Sequence, residues 1–199
     1  MTPSAETARP SPVPRLDATR KLRDSALPIR QRDALGRWIA LAERGDVTKG
    51  DLGPDLFGRT LQYVALVEVL EDGADFRHRI EGREVVRRFG ASGTDRFSAL
   101  YTPAHFRRLQ ALYLSILLSG RPSVRHFMAP SVEGEELSFS QLVLPSVNGD
   151  GQVTFCAVVY DFPDPLHALP AAPLAIAAPW RRLRKGSTRE TMLGDRRWR

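Results

Sequence analysis

Apolar residues recur at helical spacing over residues 28–44. Leu35, Trp38, Ile39, Leu41 and Ala42 form one stripe, and Arg30, Arg32, Asp33, Arg37 and Glu43 cover the other side. Pro28 suits the helix start and Gly45 its end. Residues 46–58 read as a loop, with three glycines and a proline. The period then changes. Residues 61–71 (LQYVALVEVLE) are rich in β-branched residues and apolar on both faces, which predicts a strand covered on both sides. Asp72-Gly73 supplies hairpin turn chemistry. Residues 76–80 (FRHRI) alternate, so Phe76, His78 and Ile80 are predicted on one face and Arg77 and Arg79 on the other. Gly82 closes this strand. Residues 84–89 make one or two helical turns, stopped by Gly90.

Pro103 opens the clearest helix, over 103–118, with Phe106, Leu109, Leu112, Tyr113, Ile116 and Leu117 on one stripe and Gly120 at its end. Strands are predicted over 122–129, 136–144 and 152–160, joined by Val132-Glu133-Gly134-Glu135 and Asn148-Gly149-Asp150-Gly151. These short connections favour antiparallel neighbours. Joining the first and last strands edge to edge gives an α+β domain: one five-stranded antiparallel sheet in the order 2-1-5-4-3, with helices on one face. The helix over 28–44 is expected either to cap the sheet or to pair with its copy in a homodimer.

A length of 199 residues suits one domain with tails. No stretch approaches the ~20 apolar residues needed to span a bilayer, and residues 1–15 lack the apolar core of a secretory signal. Cys156 is the single cysteine, which excludes an internal disulfide. A reducing, cytoplasmic location is therefore expected. Proline divides the chain: five lie in residues 1–30, five in 163–179 and only five between. The expected organisation is a disordered arm over 1–27, a domain over 28–162, and a Pro/Ala-rich linker with a basic tail over 163–199. The net charge of +6 belongs to the ends, because residues 33–179 carry −4.

The run Phe76-Arg77-His78-Arg79-Ile80-Glu81-Gly82, then Val85-Val86 and Phe89-Gly90, resembles the central signature of a bacterial PAS-like (Per-Arnt-Sim) family. Gly93, Leu100, the long helix and Leu144-Pro145 extend the similarity over residues 35–162. His78 departs from the pattern, where tyrosine is commoner. The resemblance implies a free-standing sensory or protein-interaction module that binds a small molecule between sheet and helices, or binds nothing and dimerises.

Candidate chemistry is sparse. Flavin photochemistry in PAS proteins needs a cysteine in a helix motif resembling Asn-Cys-Arg-Phe-Leu. Cys156 instead falls on a predicted strand and reads as a small buried apolar residue. Haem-binding PAS proteins place an axial histidine on the long helix. His105 lies near that helix's start, where solvent exposure is expected. His78, His126 and His167 lack metal-ligand spacing. Neither haem nor flavin is expected, and no cofactor is named. Residues 90–94 (GASGT) lack the lysine of a phosphate-binding loop and read as turn glycines. The carboxylates of Glu133, Glu135 and Glu136 read as a solvated hairpin tip. No hydrolase, zinc-protease, kinase or cyclase motif is present, so the expectation is a non-enzyme.

The candidate ligand-binding residues are His78, Arg79, Phe106, Tyr113, Phe127 and Phe139, of which His78 is the polar group aimed inward. The expected function is a non-catalytic regulatory module that binds a small ligand or a signalling protein and acts in trans. The alternative is an adaptor whose tail, through Arg181, Arg182, Arg184 and Lys185, binds nucleic acid or an anionic membrane.

Overall fold

The computed structural model describes residues 16–93 and 95–163. Helices are α1 (Leu16–Arg23), α2 (Ile29–Ala42), α3 (Pro54–Phe57), α4 (Arg83–Phe89), α5 (Phe97–Leu100) and α6 (Pro103–Ser119). Strands are β1 (Val64–Leu70), β2 (Asp75–Glu81), β3 (Ser123–Pro130), β4 (Glu136–Val147) and β5 (Val153–Asp161). They form one antiparallel sheet in the order β2-β1-β5-β4-β3, the PAS-like order that the hairpin reading predicts.

Alternation along the central strands divides the apolar residues between two layers. Ala65, Val67, Cys156, Val158 and Tyr160 face α4, α5 and α6. Val64, Leu66, Ala157, Val159, Leu142 and Leu144 face α2 and α3. The expectation of helices on one face therefore holds for α4–α6, while α2 covers the opposite face. Two buried side chains fix α2 there: Gln31 Nε2 donates to the Val159 carbonyl at 3.0 Å and Trp38 Nε1 to the Pro145 carbonyl at 3.0 Å. Arg30 adds an ion pair to Asp161 at the end of β5. Burial pushes the Asp161 carboxyl up, and Arg30 opposes that shift.

Two expectations are corrected. Residues 16–23 are helical rather than part of a disordered arm over 1–27. Leu16 and Leu22 of α1 pack against the α2 layer, and residues 1–15 of the expected arm lie outside the described residues. The first strand begins at Val64 rather than 61, because residues 58–63 coil as a 3₁₀ segment. The loop over 46–58 likewise contains short helical turns, the first bounded by a Thr48–Asp51 capping box.

The β1–β2 turn has Asp72 at φ 55° and Gly73 at φ 94°, with the Ala74 N–H donating to the Glu71 carbonyl at 3.0 Å. This left-handed pair is what a tight hairpin needs. Gly82 has a different reason to be glycine. A Cβ there would lie 2.3 Å from the Gln62 carbonyl oxygen and 2.8 Å from that of Leu61. Because the obstacle is backbone, Gly82→Ala should cost about 1–3 kcal/mol of stability by denaturant unfolding. A loss below about 0.5 kcal/mol would show that the 58–63 segment gives way freely.

Candidate functional site

The layer between the sheet and α4–α6 holds most of the candidate residues. Asp75 positions its lid: one carboxylate oxygen accepts the N–H groups of Phe76 and Ser98, and the other accepts the Ser98 hydroxyl at 2.6 Å. Start of β2 and α5 are thereby joined. Thr102 caps α6 by accepting the His105 N–H at 3.4 Å, and Gly120 ends the helix in the left-handed region.

Two ring clusters occupy the layer. In one, Phe76 meets Tyr113 at 4.7 Å between centroids, and Phe97 meets Phe76, Tyr101, Tyr113 and His78. In the other, Phe139 meets Phe127 at 5.5 Å, Phe89 at 5.0 Å, and Tyr160 and Phe162 near 6 Å. Phe76, Tyr101, Leu100, Ile116 and Phe139 are among the largest fully buried side chains in the molecule. Of the predicted ligand residues, His78 and Tyr113 fall in the first cluster and Phe127 and Phe139 in the second. Phe106 packs half-buried at the margin of the layer. Burial raises the Tyr113 hydroxyl well above the ordinary phenol range.

Arg79 is elsewhere. The β1–β2 register shifts between Leu66, paired with Ile80, and Val67, paired with His78. Arg79 is the extra residue of a bulge. Its Nε stands 3.8 Å from Glu68, which also binds Arg77, on the face away from α4–α6. The bulge reverses the predicted alternation beyond it. Ile80, expected inward with His78, is 59% exposed. Glu81, opposite Ala65, turns inward instead.

A buried polar cluster results. His78 Nδ1 lies 2.7 Å from the Ser92 hydroxyl oxygen and 3.7 Å from Glu81 Oε1, and Glu81 Oε2 accepts the Ser92 N–H at 2.8 Å. Carboxylate and hydroxyl approach the same ring nitrogen. A nucleophile relay needs them on opposite nitrogens, so this arrangement positions a loop instead of activating Ser92. Sequence reasoning singled out His78 but missed Glu81 and Ser92. It also missed Gln141, which strand register puts in one interior row with Arg125 and Tyr160. Counting by twos from Phe139 would have found Gln141. No pattern in the sequence marks the bulge that brings in Glu81.

His105 is 3% exposed, not solvent-facing as expected, and its ring packs on Tyr101 at 5.1 Å. Burial, with a smaller contribution from Arg108, lowers its pKa to about 4. Cys156 is buried on β5, and burial pushes its thiol up to about 12, which leaves it a poor nucleophile. Among the described residues, no helix is long and apolar enough to cross a membrane. Arg181, Arg182, Arg184 and Lys185 of the basic tail, and His167, lie outside the described residues.

No protein-family profile matches the chain. No curated protein matches it either. Solved structures that resemble it include the light state of the blue-light photoreceptor Aureochrome1 LOV, at 14% identity and a TM-score of 0.40, over 57% of this chain and 90% of that one. Another is the N-terminal domain of a diguanylate cyclase with PAS/PAC sensor from Marinobacter aquaeolei, at 10% identity and a TM-score of 0.37, over 50% of this chain and 94% of that one. A third is a sensory box histidine kinase/response regulator from Burkholderia thailandensis, at 8% identity and a TM-score of 0.36, over 55% of this chain and 84% of that one.

Proposed function

We propose that this chain is a non-catalytic, cytoplasmic PAS-like regulatory module that signals in trans by engaging a protein partner. The observation that supports this reading is the ring packing between sheet and α4–α6. Tyr113, Phe127 and Phe139, candidates for ligand contact, instead touch other rings of the same layer. Rings that pack on one another across the layer support the protein-interaction form of a PAS-like module over the ligand-binding form. The packing also gives the module a stiff body through which a partner contact on one side is felt on the other.

Native mass spectrometry of the full chain tests this choice. The expected masses are those of the polypeptide or of whole-number multiples of it. A non-covalent small-molecule adduct that survives purification and disappears in Tyr113→Ala would overturn this reading and favour the small-ligand form.

A further inference from the structure

On the side of the sheet away from α4–α6, a cleft of about 380 Å³ opens between α2, α3 and the 3₁₀ segment over residues 58–63. It lies outside the ring-packed layer, so it stands whether or not that layer binds anything. Its size falls in the range of about 300–1,000 Å³ usual for small-molecule sites. The floor is apolar, set by Leu56 and Phe57, which are 3% and 2% exposed. The rim is polar. It carries Asp33 and Arg37 from α2, and Arg59 and Thr60 from the 3₁₀ segment.

These rim groups are largely uncommitted. Asp33 and Arg37 stand four residues apart, the spacing at which opposite charges pair on a helix. They form no ion pair with each other or with any other described residue. Arg37 is drawn across to α3 instead, where its Nη1 donates to the Leu56 carbonyl at 3.2 Å. That bond uses one of the five N–H donors of the guanidinium. The Arg59 guanidinium and the Thr60 hydroxyl bond to no described residue. One cleft therefore gathers two cations, a carboxylate and a hydroxyl that their neighbours leave unpaired.

We propose that this cleft binds a free α-amino acid. The ligand carboxylate accepts from the guanidinium groups of Arg37 and Arg59, whose planar donors match it. The ligand ammonium meets the Asp33 carboxylate. An anion such as phosphate would suit the arginines but bring negative charge against Asp33. A simple amine would suit Asp33 but meet two cations. A zwitterion satisfies both signs at once. The floor of Leu56 and Phe57 selects an apolar ligand side chain. The rim groups are exposed, so each contact is made in the presence of water and the affinity is modest. Such a ligand exchanges quickly and is lost on purification, which leaves the bare polypeptide mass expected above unchanged.

Titration of the full chain with L-leucine, read by the amide chemical shifts in NMR spectra, tests the site. Saturable shifts are expected at residues 33–37 and 56–60, with half-saturation below about 1 mM. Two analogues keep the leucine side chain and remove one charge each: isocaproate lacks the amine and leucinamide lacks the carboxylate. Each should bind at least about tenfold more weakly than L-leucine, and inorganic phosphate should bind no better than they do. This series uses the wild-type protein and depends on no variant folding. The absence of saturable shifts at these residues up to about 10 mM L-leucine overturns the proposal. So does isocaproate or phosphate binding as tightly as L-leucine, which would make the cleft a plain anion site. Asp33→Asn should weaken L-leucine about tenfold without weakening isocaproate, and Arg59→Gln should weaken both. L-leucine affinity within about twofold of wild type in Asp33→Asn also overturns the assignment.

Discussion

Trp38→Ala is expected to lower the unfolding free energy by about 3–5 kcal/mol, the largest effect of any single truncation on the α2 side. Trp38 is 2% exposed and belongs to the layer formed with Leu35, Leu142 and Leu144. Truncation removes its buried area and leaves a cavity under a helix that the sheet cannot follow inward. It also strands a carbonyl. Pro145 lies near the end of β4 and has no N–H for the ladder, and its oxygen accepts the Trp38 indole N–H. Trp38→Phe separates the two contributions. It keeps most of the apolar contact and leaves the buried oxygen without its donor, for an expected loss of about 1–3 kcal/mol. Urea unfolding of the two variants reads both numbers. A Trp38→Ala variant within about 1 kcal/mol of wild type would mean that α2 is not part of the cooperative fold.

The α2 prediction rests on a feature only half legible in the sequence. The apolar stripe of residues 28–44 marked the helix, but a stripe does not say whether it meets a sheet or another copy of itself. The donors that decide it, Gln31 and Trp38, find acceptors on β5 and β4, far away in the chain. The sheet itself was legible because each short connection carried turn chemistry: Asp72-Gly73 adopts the left-handed pair, and the two later hairpins pair over long registers. The site was less so. His78 was placed inward correctly, since alternation holds from Phe76 to His78. One inserted residue then moved Ile80 out and Glu81 in. Side-chain period in a strand is two, so a single bulge inverts everything beyond it while leaving the local composition unchanged. Residues 16–23 of the expected arm were misread for a different reason. The prolines end at Pro14, and their composition was carried past the point where a helix could begin.

The second large effect concerns acid. His105 is the third residue of α6, buried against Tyr101, and its pKa is held at about 4 by burial and, less strongly, by Arg108. Position adds to the same direction, because the amino end of a helix disfavours a cation. An unfolded histidine titrates near 6.5. Between that value and about 4 the unfolded chain takes up a proton that the folded chain refuses. Stability from this residue is therefore complete above about pH 6.5 and falls as the pH drops toward 4, by up to about 3 kcal/mol. Wild-type curves contain the contributions of every titrating group, and only a difference isolates one. His105→Phe keeps a flat ring beside Tyr101 and cannot protonate. Its stability should exceed that of wild type by a margin that widens from about pH 6.5 down to about pH 4 and is constant above. Parallel curves for the two proteins across that range would show that the His105 imidazole is protonated without penalty, and so is not buried as the packing on Tyr101 requires.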